Sequence, residues 1–258
     1  DIPVARGADN PLARPFLGPV PHVHGDDGQG NVHLPPPATQ AIAESAAEFV
    51  IERVMAAPGE ITLVPIGPLT NIALALRLEP RIAVNVKEVV LMGGNALGPG
   101  NATPAAEANI HNDPEAADVV FGAEWPVTMV GLDVTHRVVM TSDHLDRYAR
   151  FDNPMAQHVS QIVRFYHAFF QSYYPGMDGI YVHDSSAIAY LLDPTLFTVE
   201  RWPLRVETQG FSRGKTWPAI GIGDDDNPAP WRGRPRVNIC VDVDSARLVD
   251  LELSRMMA

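Results

Sequence analysis

Lys87-Glu88-Val89-Val90-Leu91-Met92-Gly93-Gly94 is a short apolar run stopped by paired glycines. Unbroken Val/Leu/Met at this length is the pattern of a strand buried on both faces, as in a parallel sheet. Upstream, Ile61-Thr62-Leu63-Val64 has the same character. Ile66-Gly67-Pro68-Leu69-Thr70-Asn71 then turns into a helix spanning 69–78, with Pro68 well placed near its start. Further upstream, Ile42, Ala46, Phe49, Val50, Ile51 and Val54 recur at helical spacing, predicting an amphipathic helix over 39–57, ended by Gly59. Downstream, Asp113-Pro114-Glu115 opens another helix and Val127-Thr128-Met129-Val130 is the next strand. Strand and helix alternate. The fold expected is α/β, a mainly parallel sheet flanked by helices, with ligands outside the carboxyl ends of the strands.

Beyond Thr141 the helices lengthen, and the segment from Pro154 to Tyr174 is apolar and aromatic on one side. Ile180-Tyr181-Val182-His183-Asp184-Ser185 leads into Ala187-Ile188-Ala189-Tyr190-Leu191-Leu192, which places His183 and Asp184 at the first turn of a helix entering the core. Free N–H groups and the helix dipole favour an ionised Asp184 there, either as a cap or as part of a site. Segments 204–207, 216–220 and 236–243 read as strands of a small C-terminal antiparallel addition. Residues 6–37 are rich in Gly, Pro and His and lack periodicity, which marks a long irregular surface segment. Within it, His22 and His24 have no third ligand at suitable spacing, so a glycine hinge is the better reading than a metal site. Asp224-Asp225-Asp226 lies among turn residues and is expected to be a solvated loop.

The 258 residues, 46% of them hydrophobic, suit one globular domain spanning 1–258. A formal charge of -12 opposes nucleic acid or an anionic membrane as partner. Cys240 is the single cysteine, so an internal disulfide and a cysteine zinc site are both excluded. No apolar run approaches the ~18 to 20 residues that span a bilayer, and a cytoplasmic location is expected. Asp1-Ile2-Pro3-Val4-Ala5 reads as the tail of a strand, so an upstream strand–helix segment is expected.

Gly93-Gly94 after a strand could cradle a phosphate, but no G-x-G-x-x-G runs into a helix, so a dinucleotide fingerprint is weak. Asn101, Glu107 and Asn109 offer amide and carboxylate groups that both donate and accept, as sugar hydroxyls require; taken alone they could equally cap loops.

Val64-Pro65-Ile66-Gly67-Pro68-Leu69-Thr70-Asn71, Val89 to Gly94, Gly100-Asn101 with Glu107 and Asn109, Asp113-Pro114-Glu115-Ala116-Ala117 and Val182-His183-Asp184 together resemble the inosine-uridine preferring nucleoside hydrolases. The resemblance runs from near residue 1 to past residue 190 in matching order. It implies a calcium-dependent enzyme that hydrolyses the N-glycosidic bond of purine or pyrimidine ribonucleosides to ribose and free base, assembled as a homodimer or homotetramer. It further implies Ca2+ bound by Asp184 and the Ile66 carbonyl, and ribose held by Asn101, Glu107 and Asn109, with Met92 in the same substrate group. His183 would protonate the leaving base, and a histidine does this near neutral pH without large tuning. His24, Tyr173 and Tyr174 would belong to mobile loops closing over the base.

One departure is plain. The family carries an aspartate-rich motif after its first strand, supplying most of the calcium carboxylates and the general base, and this sequence has no match to it. Calcium takes about six to eight oxygens. The chain as it stands is therefore expected to bind calcium poorly and to turn over slowly or not at all. The competing readings are a catalytically impaired relative that binds a nucleoside or ribose-like sugar, and an unrelated Rossmann-type enzyme.

Overall fold

The structure is a computed structural model that describes residues 2–223 and 226–257; Asp1 and two members of the acidic run, Asp224 and Asp225, lie outside the described residues. Ile2 to Ala5 are not a strand; the N-terminal segment makes one isolated parallel bridge, Arg6 to Ser45. A short helix α1 (Pro21–His24) interrupts the irregular segment that follows. Helix α2 covers Ala46–Ala56 and begins later than the periodicity of 39–57 predicts. The cause is a capping box: the Ser45 hydroxyl accepts from the Glu48 amide while the Glu48 carboxylate accepts from the Ser45 amide at 2.9 Å.

The parallel core follows the expected rhythm: β1 (Thr62–Leu63), α3 (Thr70–Leu78), α4 (Ile82–Asn85), β2 (Glu88–Met92), α5 (Ala108–Asn112), α6 (Pro114–Phe121) and β3 (Val127–Val130). Side-chain alternation along β2 explains its unbroken apolar sequence. Val89 and Leu91 enter the core beneath α2, α3 and α6, whereas Val90 and Met92 enter the core on the opposite face, under the helices that follow. Each such buried side chain contributes about 1.5–3 kcal/mol of transfer free energy.

After β3 come α7 (Leu132–Thr135), β4 (Val139–Met140), α8 (Ser142–Tyr148), α9 (Pro154–Tyr173), β5 (Ile180–Tyr181), α10 (Asp184–Leu192), a 3-10 turn, β6 (Phe197–Val206), β7 (Thr216–Pro218), β8 (Arg236–Val243) and α11 (Ser245–Met257). Among the described residues the main sheet has the order β1-β2-β3-β8-β6-β7. Its first four members are parallel, and β6 is antiparallel to both β8 and β7. The mainly parallel sheet and its antiparallel addition are as expected, with one change of membership. Strand β8 belongs to both parts: it pairs antiparallel with β6 and in parallel with β3, Thr128 opposite Asn238, and so joins the addition to the parallel sheet, with Val237, Ile239 and Cys240 buried.

A second pairing was not legible in the sequence. Strands β4 and β5 form a two-stranded antiparallel sheet, Val139 opposite Tyr181 and Met140 opposite Ile180. The Val182 amide extends it by donating to the Val138 carbonyl at 3.0 Å. This short ribbon delivers His183 and Asp184 to the carboxyl ends of β1, β2 and β3, where a parallel sheet presents its ligand crevice.

Candidate active site

Strand β2 ends in Gly93 and Gly94, and the second glycine is required. Its φ is +80°, and a Cβ there would meet the Met129 sulfur at 2.7 Å. The turn aims the Gly94 amide at Glu107, whose Oε2 accepts it at 2.9 Å. Glu107 is also the N-cap of α5, accepting from the Asn109 amide at 2.8 Å and the Ile110 amide at 3.0 Å. Only 2% exposed, its carboxyl is pushed up to about 7 by burial; the three amide donors pull the other way, and the nearby Asp184 charge adds to the rise. Asn109, the second residue of α5, donates from Nδ2 to the Met92 carbonyl at 3.0 Å and to the Ile66 carbonyl at 3.3 Å. Asn101 accepts the Ala108 amide at 3.0 Å and is exposed. Glu107, Asn109, Met92, Ile66 and Asn101 are therefore joined around the start of α5.

Opposite stands the α10 entrance. Asp184 is the first residue of the helix, and His183 is its N-cap position without a side-chain capping bond. Asp184 reaches water at a cavity wall, yet the protein packed around it pushes its carboxyl up to about 6. The His183 Nδ1 lies 2.8 Å from the hydroxyl of Thr135, a fully buried residue of α7. The His136 ring is 5.5 Å away and the Tyr181 ring 5.9 Å. Burial, reinforced by His136, lowers the His183 imidazole to about 3. This corrects the expectation of an untuned histidine: at neutral pH the ring is a neutral hydrogen-bonding group.

A cavity of ≈ 950 Å³ opens at the α10 entrance, lined among others by His24, Ile66, Tyr166, His183 and Asp184; Met92, Asn101, Glu107 and Asn109 do not line it and are tied to it through Ile66, whose carbonyl takes Asn109. His24 stacks on Tyr166 of α9, ring centroids 5.8 Å apart and planes 13° from parallel. The histidine segment is docked on that helix: Gly30 (φ +67°) sits so close to α9 that a Cβ would strike the Ile162 carbonyl. Asp27 ties the turn internally, accepting from the Gln29, Asn31 and His33 amides. The cavity continues between α8, α10 and α11 to Glu252, whose carboxyl accepts from the Tyr148 hydroxyl at 3.0 Å and the Ser185 hydroxyl at 2.9 Å.

Residues 1–250 match the family of inosine-uridine preferring nucleoside hydrolases. The chain belongs to that family. It is 40% identical over 258 residues to a probable uridine nucleosidase 2 of Arabidopsis thaliana, covering all of this chain and 80% of the relative. Identity is 42% over 243 residues with the inosine-uridine preferring nucleoside hydrolase of Crithidia fasciculata, covering 93% of this chain and 75% of the relative. Among solved structures, the plant nucleoside hydrolase PpNRh1 superposes with a TM-score of 0.95 at 34% identity, covering 100% of this chain and 81% of that one. These relatives are enzymes, and the fold they share is the mainly parallel sheet with its flanking helices.

The nucleoside hydrolase resemblance implies calcium, and the donors can be tested against it. Asp184 and Ile66 both line the cavity, and Asn109 already donates to the Ile66 carbonyl. Among the described residues no group of three or more His, Cys, Asp or Glu side chains is placed to share an ion. Against about six to eight oxygens, the described residues alone do not fit a calcium ion. Two further predicted substrate residues, beyond Met92, Asn101, Glu107 and Asn109, stand outside the cavity as well. Tyr173 is 61% exposed, and Tyr174 packs on Phe170 and Tyr181; neither lines the cavity. Sequence reading missed Thr135, His136 and Tyr166. The aromatic face of α9 was the available signal for Tyr166, while Thr135 and His136 meet His183 only through the β4–β5 pairing. Among the described residues no helix is long and apolar enough to cross a membrane.

Proposed function

We propose that this chain hydrolyses the N-glycosidic bond of purine or pyrimidine ribonucleosides, releasing ribose and the free base. The observation that carries the proposal is the convergence of two polar groups: His183 and Asp184, which line the cavity, and the hydrogen-bonded Glu107–Asn109 group, which reaches it through Ile66, whose carbonyl Asn109 holds, and feels the Asp184 charge at Glu107. Cleavage of a ribosyl C–N bond passes through an oxocarbenium-like transition state, which negative charge near the sugar stabilises. Glu107 and Asp184 supply carboxyl groups close enough for the Asp184 charge to raise the Glu107 carboxyl. Asn101, Glu107 and Asn109 hold ribose hydroxyls, with Met92 beneath the sugar. At the base end, His24 and Tyr166 present a stacked aromatic wall. Tyr173 and Tyr174 enter the proposal indirectly, through the packing of Tyr174 on Phe170 and Tyr181. The Thr135 hydroxyl and His183 Nδ1 share a hydrogen bond; in the tautomer where Nδ1 accepts, His183 carries its proton on Nε2 and offers a neutral N–H to the leaving base. Asp184 and the Ile66 carbonyl would be this chain's share of a calcium site that needs further oxygen donors.

A homodimer or homotetramer is part of the proposal on the family resemblance alone, and sedimentation checks it. The incomplete donor set favours a second reading, a nucleoside- or ribose-binding relative of impaired activity. Ribose release from inosine and from uridine, measured with added calcium and with a chelator, separates the two. Slow release that added calcium raises is the expected result, in keeping with the incomplete donor set. Calorimetric binding of a nucleoside without any release would transfer the assignment to the second reading.

A further inference from the structure

The segment between β2 and α5 contains Gly98-Pro99-Gly100, a composition with wide backbone freedom, yet it carries Asn101 and leads into Glu107. Two side chains remote from the cavity grip it from opposite charge types. Asp133, on α7, accepts the amides of Ala96 at 2.6 Å, Leu97 at 2.8 Å and Gly98 at 2.8 Å. Lys215, next to β7 and only 7% exposed, donates from Nζ to the Asn95 carbonyl at 2.7 Å and the Gly98 carbonyl at 3.0 Å, with its ammonium 5.5 Å from the Trp217 ring. Between them, Asn95 closes the loop on itself, its Nδ2 donating to the Gly98 and Ala105 carbonyls at 2.9 and 3.0 Å.

The ammonium is not needed merely to satisfy those acceptors. The Asn95 carbonyl also takes the Thr216 hydroxyl at 2.8 Å, and the Gly98 carbonyl takes the Asn95 amide. A neutral side chain would leave both carbonyls partnered without the cost of burying a charge. What Lys215 adds is a charge-assisted hold on the same 95–98 segment that Asp133 grips, and attraction between the two charges across it. Both ends of that loop meet Glu107: Gly94 donates to its carboxylate, and Ala105, tied to Asn95, lies two residues before it.

We propose that Lys215 and Asp133 are positioning residues, a charged clamp that sets the Asn95–Ala106 loop and thereby the placement of Asn101 and Glu107 toward the sugar. The clamp rests on the ribose assignment of those two residues. Lys215→Met keeps the stem and removes the ammonium, Lys215→Gln keeps one donor should the Met variant fail to fold, and Asp133→Asn removes the charge and part of the acceptor set.

In the full chain, hydrogen–deuterium exchange of amides 94–108 is expected to rise about tenfold in each variant, the loss of a hydrogen bond to a charged group, while β8 amides stay unchanged. With uridine, kcat/KM is expected to fall about tenfold, and to fall less for whichever 2′-, 3′- or 5′-deoxy counterpart lacks the hydroxyl that the loop holds. Unchanged exchange overturns the clamp. Equal losses on uridine and all three deoxy counterparts reduce Lys215 and Asp133 to a stability role and overturn the positioning. A wild-type chain that cleaves none of the four refutes the ribonucleoside reading instead, and the exchange result then decides the clamp by itself.

Discussion

Thr135→Val is the sharpest probe of the His183 side of the cavity. Valine matches threonine in shape, and Thr135 is fully buried, so the substitution removes one hydroxyl with little repacking. That hydroxyl is 2.8 Å from His183 Nδ1. Losing it forfeits a hydrogen bond worth about 0.5–1.5 kcal/mol and leaves a ring nitrogen unpaired at about 1–3 kcal/mol. The ring borders an open cavity, where water can reach part of it, so the lower part of that range applies, about 1.5 kcal/mol. If His183 orients a neutral N–H toward the leaving base, the loss falls on kcat, by about tenfold, with KM little changed. The assay is steady-state hydrolysis of inosine alongside a thermal melt, where the same energy lowers Tm by about 3–6 °C for a domain of this size. Thr135→Ser keeps the hydroxyl and is expected to restore most of the rate. A Thr135→Val enzyme with wild-type kcat, or a Thr135→Ser enzyme as slow as the valine variant, would refute the orienting role.

Two stability predictions come from other parts of the fold. Burial raises the Glu252 carboxyl above its ordinary value, so the stabilisation is full below the ordinary carboxylate range and is lost as pH rises through the raised pKa. Glu252→Gln, which keeps the contacts to Tyr148 and Ser185 without a titrating proton, should flatten that decline in urea titrations run across pH; an unchanged slope would exclude Glu252 as its source. Gly100→Ala places a Cβ against the Ala106 backbone, an overpacking expected to cost about 1–3 kcal/mol and to lower Tm. A variant that melts with the wild type would show that the loop can shift to admit the methyl group.

The sequence by itself determined the layered α/β plan, because short apolar strands and 3.6-residue periodicity report which faces are buried without reference to partners. Val127–Val130 and the Asp113-Pro114 helix start were legible to the residue. So was the entry of His183 and Asp184 into a helix at its first turn, since apolar periodicity begins just beyond them. Motif order singled out Glu107, Asn109 and Asp184, which the structure places at the starts of α5 and α10. Partners remote in sequence were not legible. That Arg236–Val243 joins the parallel sheet as well as the antiparallel addition depends on which strands pair with its two edges, a choice made in space. The Thr135–His183 contact spans 48 residues and exists because β4 pairs with β5. Tyr166 rather than Tyr173 or Tyr174 lines the cavity because helical rotation, fixed by the packing of α9, turns one aromatic inward and leaves Tyr173 in solvent. The depressed imidazole of His183 belongs to the same class: a side chain's identity sets its ordinary pKa, and only the density of protein around it sets the shift.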